Sequence, residues 1–328
     1  MLTASIAGGT VEIVECAKPE LAEGEILVMM KACGVCGTDI EKVAGHYTAS
    51  ALVIGHEAVG EVVESKTPQF KPGDRVFPHH HVPCYSCWLC RHGSTTMCES
   101  YRRYNLEPGG FSEFFRVPKW NVKHGGVVKL PDSLSYDAGS FIEPLACVVR
   151  SLRKCNPATD SRILVVGAGP MGLLHALLLR KRRTCGVSIK DVSELRASYA
   201  RSLGFKTDNE AKDYDLVIVA SGHPSAISAG FRSVRRGGRV CIFGVPYKGN
   251  LLDIETAELL NSEISIITSY GADDADVAEA IRSMNEGDAL GVERLISERF
   301  RLEDTARALK AAATGNAIKV LVTADSAN

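Results

Sequence analysis

Short stretches of alternating apolar and polar residues run through the first 130 positions. VEIVE (11–15), EILVMMKA (25–32), AVGEVVE (58–64), GDRVF (73–77) and SEFFRVP (112–118) each fit a strand, with Gly, Pro and Asp turn signals between them. Long helical periodicity is absent there. From about residue 160 the pattern changes. RILVVGAGP is a buried strand entering a glycine turn, and MGLLHALLLRKR follows with helical spacing. GVSIKD, DLVIVASG, GRVCIFGVP and EISIITSYG read as further strands. SELRASYARSLG and AISAGFRSVRR read as helices among them. Strands alternating with helices predict a parallel α/β sheet. After about residue 270 the pattern gives two helices (DADVAEAIRSMNEG and LEDTARALKAAATG) and a last strand, AIKVLVT. This tail is expected to return to the first domain, because the parallel sheet already has about six strands by then.

The chain of 328 residues is long enough for about two domains. Hydrophobic residues make up 45% and charged residues 23%, as in ordinary globular proteins. A net charge of −1 implies no strong attraction to nucleic acid or to an acidic membrane surface, so neither is expected as a partner. The N-terminal stretch lacks the basic start and apolar core of a secretory signal, and no apolar run approaches a membrane span. A cytoplasmic location is the default expectation.

Four of the eleven cysteines fall within fifteen residues, as C-x2-C-x2-C-x7-C: Cys84, Cys87, Cys90 and Cys98. Such spacing suits a structural zinc held by four thiolates, with an iron–sulfur cluster as the competitor. Cys16, Cys147, Cys155, Cys185 and Cys241 stand singly and read as small buried apolar residues, while Cys33 stays ambiguous. The run His79-His80-His81 can ligate metal, but a turn surface is the expectation, given four thiolates already in place. Gly167, Gly169 and Gly172 form G-x-G-x-x-G between an apolar strand and a helix that carries Pro170 and Met171 at its start. This is the context in which glycines let a dinucleotide pyrophosphate approach a helix N-terminus. Asp191 ends the next strand, where a carboxylate holds the adenosine ribose, so NAD is favoured over NADP. Arg196 and Lys190 weaken that preference, and a helix-start residue without a ligand is the plainer reading of Asp191.

Taken together, CGVCGTD, GHEAVGEVVE, KPGDRV, the four-cysteine lobe, EPLACV and VVGAGPMGLLHA resemble, in order, the zinc-containing medium-chain dehydrogenase/reductase superfamily. The sorbitol/L-iditol 2-dehydrogenase-like branch is the most similar, with L-threonine 3-dehydrogenases as near neighbours. The resemblance covers nearly the whole chain. It implies a GroES-like β-rich catalytic domain (1–146, with a structural zinc lobe at about 84–98), a Rossmann doubly wound parallel sheet (147–270) and a C-terminal segment (271–328) returning to the first domain. It also implies two zinc ions per chain and a homodimer or homotetramer. Cys36 and His56 would be ligands of a catalytic zinc, with Glu57 and Glu143 sharing or exchanging coordination with a water. Asp39 would orient His56. Thr38 would hydrogen-bond the substrate hydroxyl and start a proton relay. Ser221, Gly222, Gly244 and Val245 would line the dinucleotide, and Tyr104 and Tyr270 would contact the substrate.

Two departures from the family pattern stand out. Glu41 occupies the place of a relay histidine, and Ser269 replaces the arginine that precedes the substrate tyrosine in sorbitol dehydrogenases. The function implied is oxidation of a hydroxylated small molecule, a secondary alcohol of polyol or cyclitol type, with hydride transfer to NAD. An L-threonine 3-dehydrogenase or an aminocyclitol dehydrogenase is the alternative. A zinc-binding sensor or nucleic-acid binder would predict a basic stripe, which the balanced charge argues against. A zinc-free quinone reductase of the same fold would lack the ligands retained here.

Overall fold

The structure, a computed structural model, describes residues 1–46, 53–184, 186–208, 212–246, 249, 251–252, 254–285 and 290–324. Cys185 lies outside the described residues. The chain divides into two compact units: Met1–Pro144, Ala272–Glu286 and Gly291–Asn328 form one, and Leu145–Gly271 with Gly287–Leu290 the other.

The first unit is built around the strand Ile26–Gly34, whose sequence ILVMMKACG is buried along almost its whole length. A strand buried on both faces needs neighbours on both edges. Glu57–Ser65 runs antiparallel along one edge, from Ile26 opposite Ser65 to Gly34 opposite Glu57. The other edge is shared: Phe114–Val117 covers Ile26 to Met29, and the C-terminal strand Lys319–Thr323 covers Ala32 to Gly34. The sheet continues through Arg75–Pro78 to Val127–Lys129 on one side and to Ile296–Arg301 on the other. Ile26, Val28, Met30, Val62, Val76, Phe111, Phe115, Val320 and Val322 meet in one apolar core. Ile296–Arg301 has no counterpart in the apolar pattern, because much of it is solvent-exposed. A helix, Ile142–Cys155, also went unmarked by the pattern.

The second unit contains a six-stranded, all-parallel sheet. Its spatial order is Lys206–Thr207, Val187–Lys190, Ile163–Val166, Tyr214–Val219, Val234–Ile242 and Ser265–Thr268. Numbered along the chain this is 3-2-1-4-5-6, the doubly wound Rossmann order. The expected helix AISAGFRSVRR stops at Ser233, and Val234 opens the next strand. The reason is tertiary: Val234 pairs with Tyr214 across the sheet, which overrides local spacing.

The glycine turn is the tightest point of this unit. Gly167 has φ +107°, in the region that side chains resist. Gly169 caps the helix Pro170–Lys181, with Pro170 in its first turn where a missing N–H costs nothing. A Cβ on Gly172 would stand 1.8 Å from the Gly167 carbonyl oxygen, a contact with backbone that no rotamer change relieves. Gly172→Ala is therefore expected to cost roughly 1–3 kcal/mol, the usual range for overpacking, together with dinucleotide affinity. Urea unfolding and dinucleotide titration measure both, and a variant matching wild type in both overturns the close approach.

Candidate catalytic metal and dinucleotide sites

Cys36 caps the helix Gly37–Val43, and His56 immediately precedes the strand Glu57–Ser65. Twenty residues apart in the chain, they are brought together by Asp39, which is fully buried. One Asp39 oxygen accepts the Cys36 N–H at 3.1 Å. The other accepts the Gly55 N–H at 3.0 Å and lies 3.3 Å from His56 Nδ1. Burial alone would raise the Asp39 pKa, but His56, with Lys42 and the Gly55 N–H, brings it below the usual carboxyl value. Burial opposes the charged form of His56 as well. Asp39 and Cys36 outweigh it and hold the imidazole pKa well above its ordinary value. A carboxylate on one ring nitrogen is the arrangement that orients a metal-ligating histidine.

Cys36, His56 and Glu57 offer ligand atoms that all lie within 4.8 Å of one another. Thiolate, imidazole and carboxylate are a donor set that zinc accepts. Glu57, however, has another partner: it is ion-paired with the ammonium of Lys319, and both are buried. Lys319 also donates to the Val35 carbonyl at 3.1 Å. Burial works against its charge, but Glu57 and then Cys36 raise its pKa. Gly34 makes room for the pair, since a Cβ there would stand 2.0 Å from Glu57 Oε2. Lys319 had no signal in the sequence. It lies 262 residues from Glu57 and looks like one polar position in a terminal strand.

Glu143, in the first turn of Ile142–Cys155, falls in a second group. It and the two histidines His79 and His80 offer ligand atoms within 4.8 Å of one another, and all three are buried. This corrects the expectation of a turn surface for the histidine run. The strand Arg75–Pro78 is buried at Val76, Phe77 and Pro78, and it carries the next two residues into the interior. His81 follows, half-buried, with its ring 3.9 Å from that of His80 and 5.2 Å from that of Tyr101. The rings of His56 and His80 lie 5.0 Å apart. Burial lowers the His79 pKa to about 4 and that of His80 well below the usual range, so both are neutral near pH 7.

Of the remaining expected residues, Thr38 is half-buried in the first turn of Gly37–Val43. Glu41 lies one turn further on and meets His46 Nδ1 at 3.0 Å. Tyr104 stacks on Trp120 with ring centroids 4.9 Å apart. Tyr101, in the same segment, is buried and donates its hydroxyl to the Ala272 carbonyl at 2.8 Å.

Cys84, Cys87, Cys90 and Cys98 converge within 4.8 Å. The Cys87 N–H donates to Cys84 Sγ at 3.3 Å, and the Cys84 N–H to Cys98 Sγ at 3.4 Å. Hydrogen bonds from Ser86 bring the Cys84 pKa down to about 6, whereas burial, with Cys87 and Cys98 close by, pushes Cys90 up to about 12. Four thiols this close cannot all ionise without a cation, and a tetrahedral zinc fits the set.

In the second unit the Gly167 N–H donates to the Lys190 carbonyl at 2.7 Å. Asp191 ties the same turn down, accepting the Ala168 N–H at 2.6 Å and the Ser193 N–H at 2.8 Å. Each oxygen keeps a second lone pair for a ribose hydroxyl. Arg196 reaches over the turn, its Nη1 3.8 Å from where a Cβ on Gly169 would be. The backbone at Ser221 and Gly222 touches that at Gly244 and Val245, where a Cβ on Gly222 would stand 1.9 Å from the Val245 oxygen. Both segments follow the carboxyl ends of strands, where open α/β sheets bind ligands. Met171 lies in the first turn of the helix above them. Tyr270 is half-buried after the strand Ser265–Thr268, and the hydroxyl of its neighbour Ser269 is buried without a hydrogen-bond partner among the described residues.

Known proteins share this arrangement. Residues 22–132 match the alcohol dehydrogenase GroES-like domain, and residues 137–324 match the glucose dehydrogenase C-terminus. The chain is 31% identical to the D-altritol 5-dehydrogenase of Agrobacterium fabrum (strain C58), over 90% of this chain and 91% of that protein. It is 27% identical to an L-threonine 3-dehydrogenase of Shewanella putrefaciens, over 95% and 96%. A zinc-binding dehydrogenase of Sinorhizobium meliloti 1021 solved with NADP superposes with a TM-score of 0.85 at 25% identity, covering 98% of each chain. A two-unit chain of this kind is an oxidoreductase of the alcohol and polyol dehydrogenase class. It belongs to the zinc-containing medium-chain dehydrogenase/reductase superfamily.

The Glu57–Lys319 pair gives a test of the site's packing. Removing one partner of a buried ion pair strands the other charge. Lys319→Met is expected to cost about 3–5 kcal/mol, and Glu57→Gln in the same chain to restore much of it. Urea midpoints of the two variants decide the matter; a single variant as stable as wild type overturns the pairing.

Proposed function

We propose that the chain oxidises a secondary carbinol flanked by a second polar group, with NAD as the hydride acceptor and two zinc ions per chain. One zinc is assigned to the four-cysteine lobe and one to Cys36 and His56 with Glu143. The observation that carries this reading is the pair Cys36 and His56 locked in place by one buried carboxylate, Asp39. Glu143 is chosen over Glu57 as the third ligand because Glu57 is the ion-pair partner of the buried Lys319 ammonium, and drawing it onto metal would break that pair. Bound zinc supplies Lewis acidity at a carbinol oxygen and bound dinucleotide supplies the hydride acceptor.

The chain's own groups do the rest. Asp39 fixes the tautomer of His56 by holding Nδ1. The Thr38 hydroxyl is the acceptor for the carbinol proton. Thr38 and Glu41 stand three residues apart on one helix face, and Glu41 with its partner His46 can pass that proton to water. Asp191 favours NAD because a carboxylate repels a 2′-phosphate, while Arg196 beside Gly169 tempers the discrimination.

Two relatives bear on the substrate class. One is named for a polyol and the other for an amino acid with a hydroxyl next to its amine. Both carry a polar group beside a carbinol, and a site that hydrogen-bonds such a group rejects analogues lacking it. Catalytic efficiencies measured for D-altritol, sorbitol, myo-inositol, L-threonine, 2-butanol and ethanol are expected to place ethanol last. The margin below the best polar substrate should be roughly 10²-fold or more. Ethanol in first place overturns the substrate class. In the same assay Glu143→Ala is expected to lower turnover by more than roughly 100-fold, beyond the loss typical of outer-shell changes, with NAD affinity nearly intact. Unchanged turnover removes Glu143 from the metal.

For the cofactor, Asp191 has two roles, holding the turn and facing the ribose. The NAD-to-NADP affinity ratio separates them, because damage to the turn weakens both dinucleotides alike. Asp191→Ala is expected to shift that ratio toward NADP by about tenfold, the scale of 1.4 kcal/mol. A ratio that does not move, or a wild type that already prefers NADP, overturns the NAD assignment.

A further inference from the structure

The histidine run is left over from this reading. His79 and His80 have exposures of only 3% and 7%. Their backbone is rigidly held: the Asn121 side chain donates to the His79 carbonyl at 2.9 Å and to the His80 carbonyl at 3.2 Å, and the His79 N–H donates to Gly126 at 2.6 Å. Yet His79 Nε2 and His80 Nδ1 are buried without a hydrogen-bond partner among the described residues. A nitrogen shut away from water is costly unless something satisfies it. A ligand atom of each ring lies within 4.8 Å of a Glu143 oxygen.

We propose that His79, His80 and Glu143 hold a third divalent cation, of the zinc or cobalt(II) type, additional to the two zinc ions assigned above and beside the one at Cys36 and His56. Two imidazoles and a carboxylate are borderline donors that suit these metals. Glu143 has two oxygens, so it can serve this ion and its neighbour together, as carboxylates do in two-metal sites.

The neighbouring ion rests on the function proposed above, but the histidine position is read out separately. Metal-free protein is titrated with cobalt(II), following absorbance, and bound metal is counted by mass spectrometry after gel filtration. Wild type is expected to bind about three equivalents per chain, two of them with sulfur-to-cobalt charge-transfer bands and one without. His79→Gln with His80→Gln is expected to lose the equivalent that lacks the sulfur band and to keep the others, whose bands also report that the protein is folded. Cys36→Ser is expected to lose one sulfur band and keep the histidine-bound ion. Saturation of wild type at two equivalents overturns the proposal whatever the variants do, and so does a double variant that still binds all three. If instead Cys36→Ser leaves the sulfur bands unchanged, the assignment of the catalytic ion falls, while loss of the third equivalent in the histidine variant still supports the site proposed here.

Discussion

A carboxylate shut away from water must be paired and hydrogen-bonded, and Asp39 meets that demand with the three groups that build the metal site. The Cys36 N–H fixes the start of the helix Gly37–Val43. The Gly55 N–H and His56 Nδ1 fix the approach to the strand Glu57–Ser65. Helix and strand are thus set against each other by one side chain, and the donors Cys36 and His56 inherit their positions from it. Thr38 and Glu41 lie on the same helix, so they take their register from Asp39 too.

The second unit rests on a steric limit. Its phosphate turn exists only because Gly172 lets the helix come within a forbidden distance of the Gly167 carbonyl. Asp191 then closes the turn from the next strand, with one oxygen on Ala168 and the other on Ser193. The residue expected to read the ribose is therefore also a brace. Its carboxylate is held in one orientation before any ligand arrives, which reduces the ordering cost of binding.

What was legible in the sequence follows from how local each signal is. The parallel sheet was legible because its strands are continuous apolar runs and its glycine turn has fixed spacing. The four-cysteine lobe was legible for the same reason, since all its ligands lie within fifteen residues. The strand Ile296–Arg301 was not, because it is an edge strand with much of its length exposed and only its partner Lys319–Thr323 shows an apolar pattern. The histidine run was misread because three imidazoles before a turn look solvated. Nothing local says that the strand Arg75–Pro78 delivers the first two to the interior. The Glu57–Lys319 pair joins opposite ends of the chain, and an ion pair of that separation leaves no spacing to recognise.

The same burial rule separates two glutamates that the sequence could only set side by side. Glu57 is ion-paired with a buried ammonium that also donates to the Val35 carbonyl, so moving its carboxylate breaks a pair shut away from water. Glu143 lies beside His79 and His80, whose buried nitrogens lack a hydrogen-bond partner among the described residues, and it also acts on the Lys319 ammonium from further along the site. Two carboxylates of one chemical type are thereby given unlike neighbours by the fold: Glu57 an ion-paired lysine, Glu143 a pair of buried histidines.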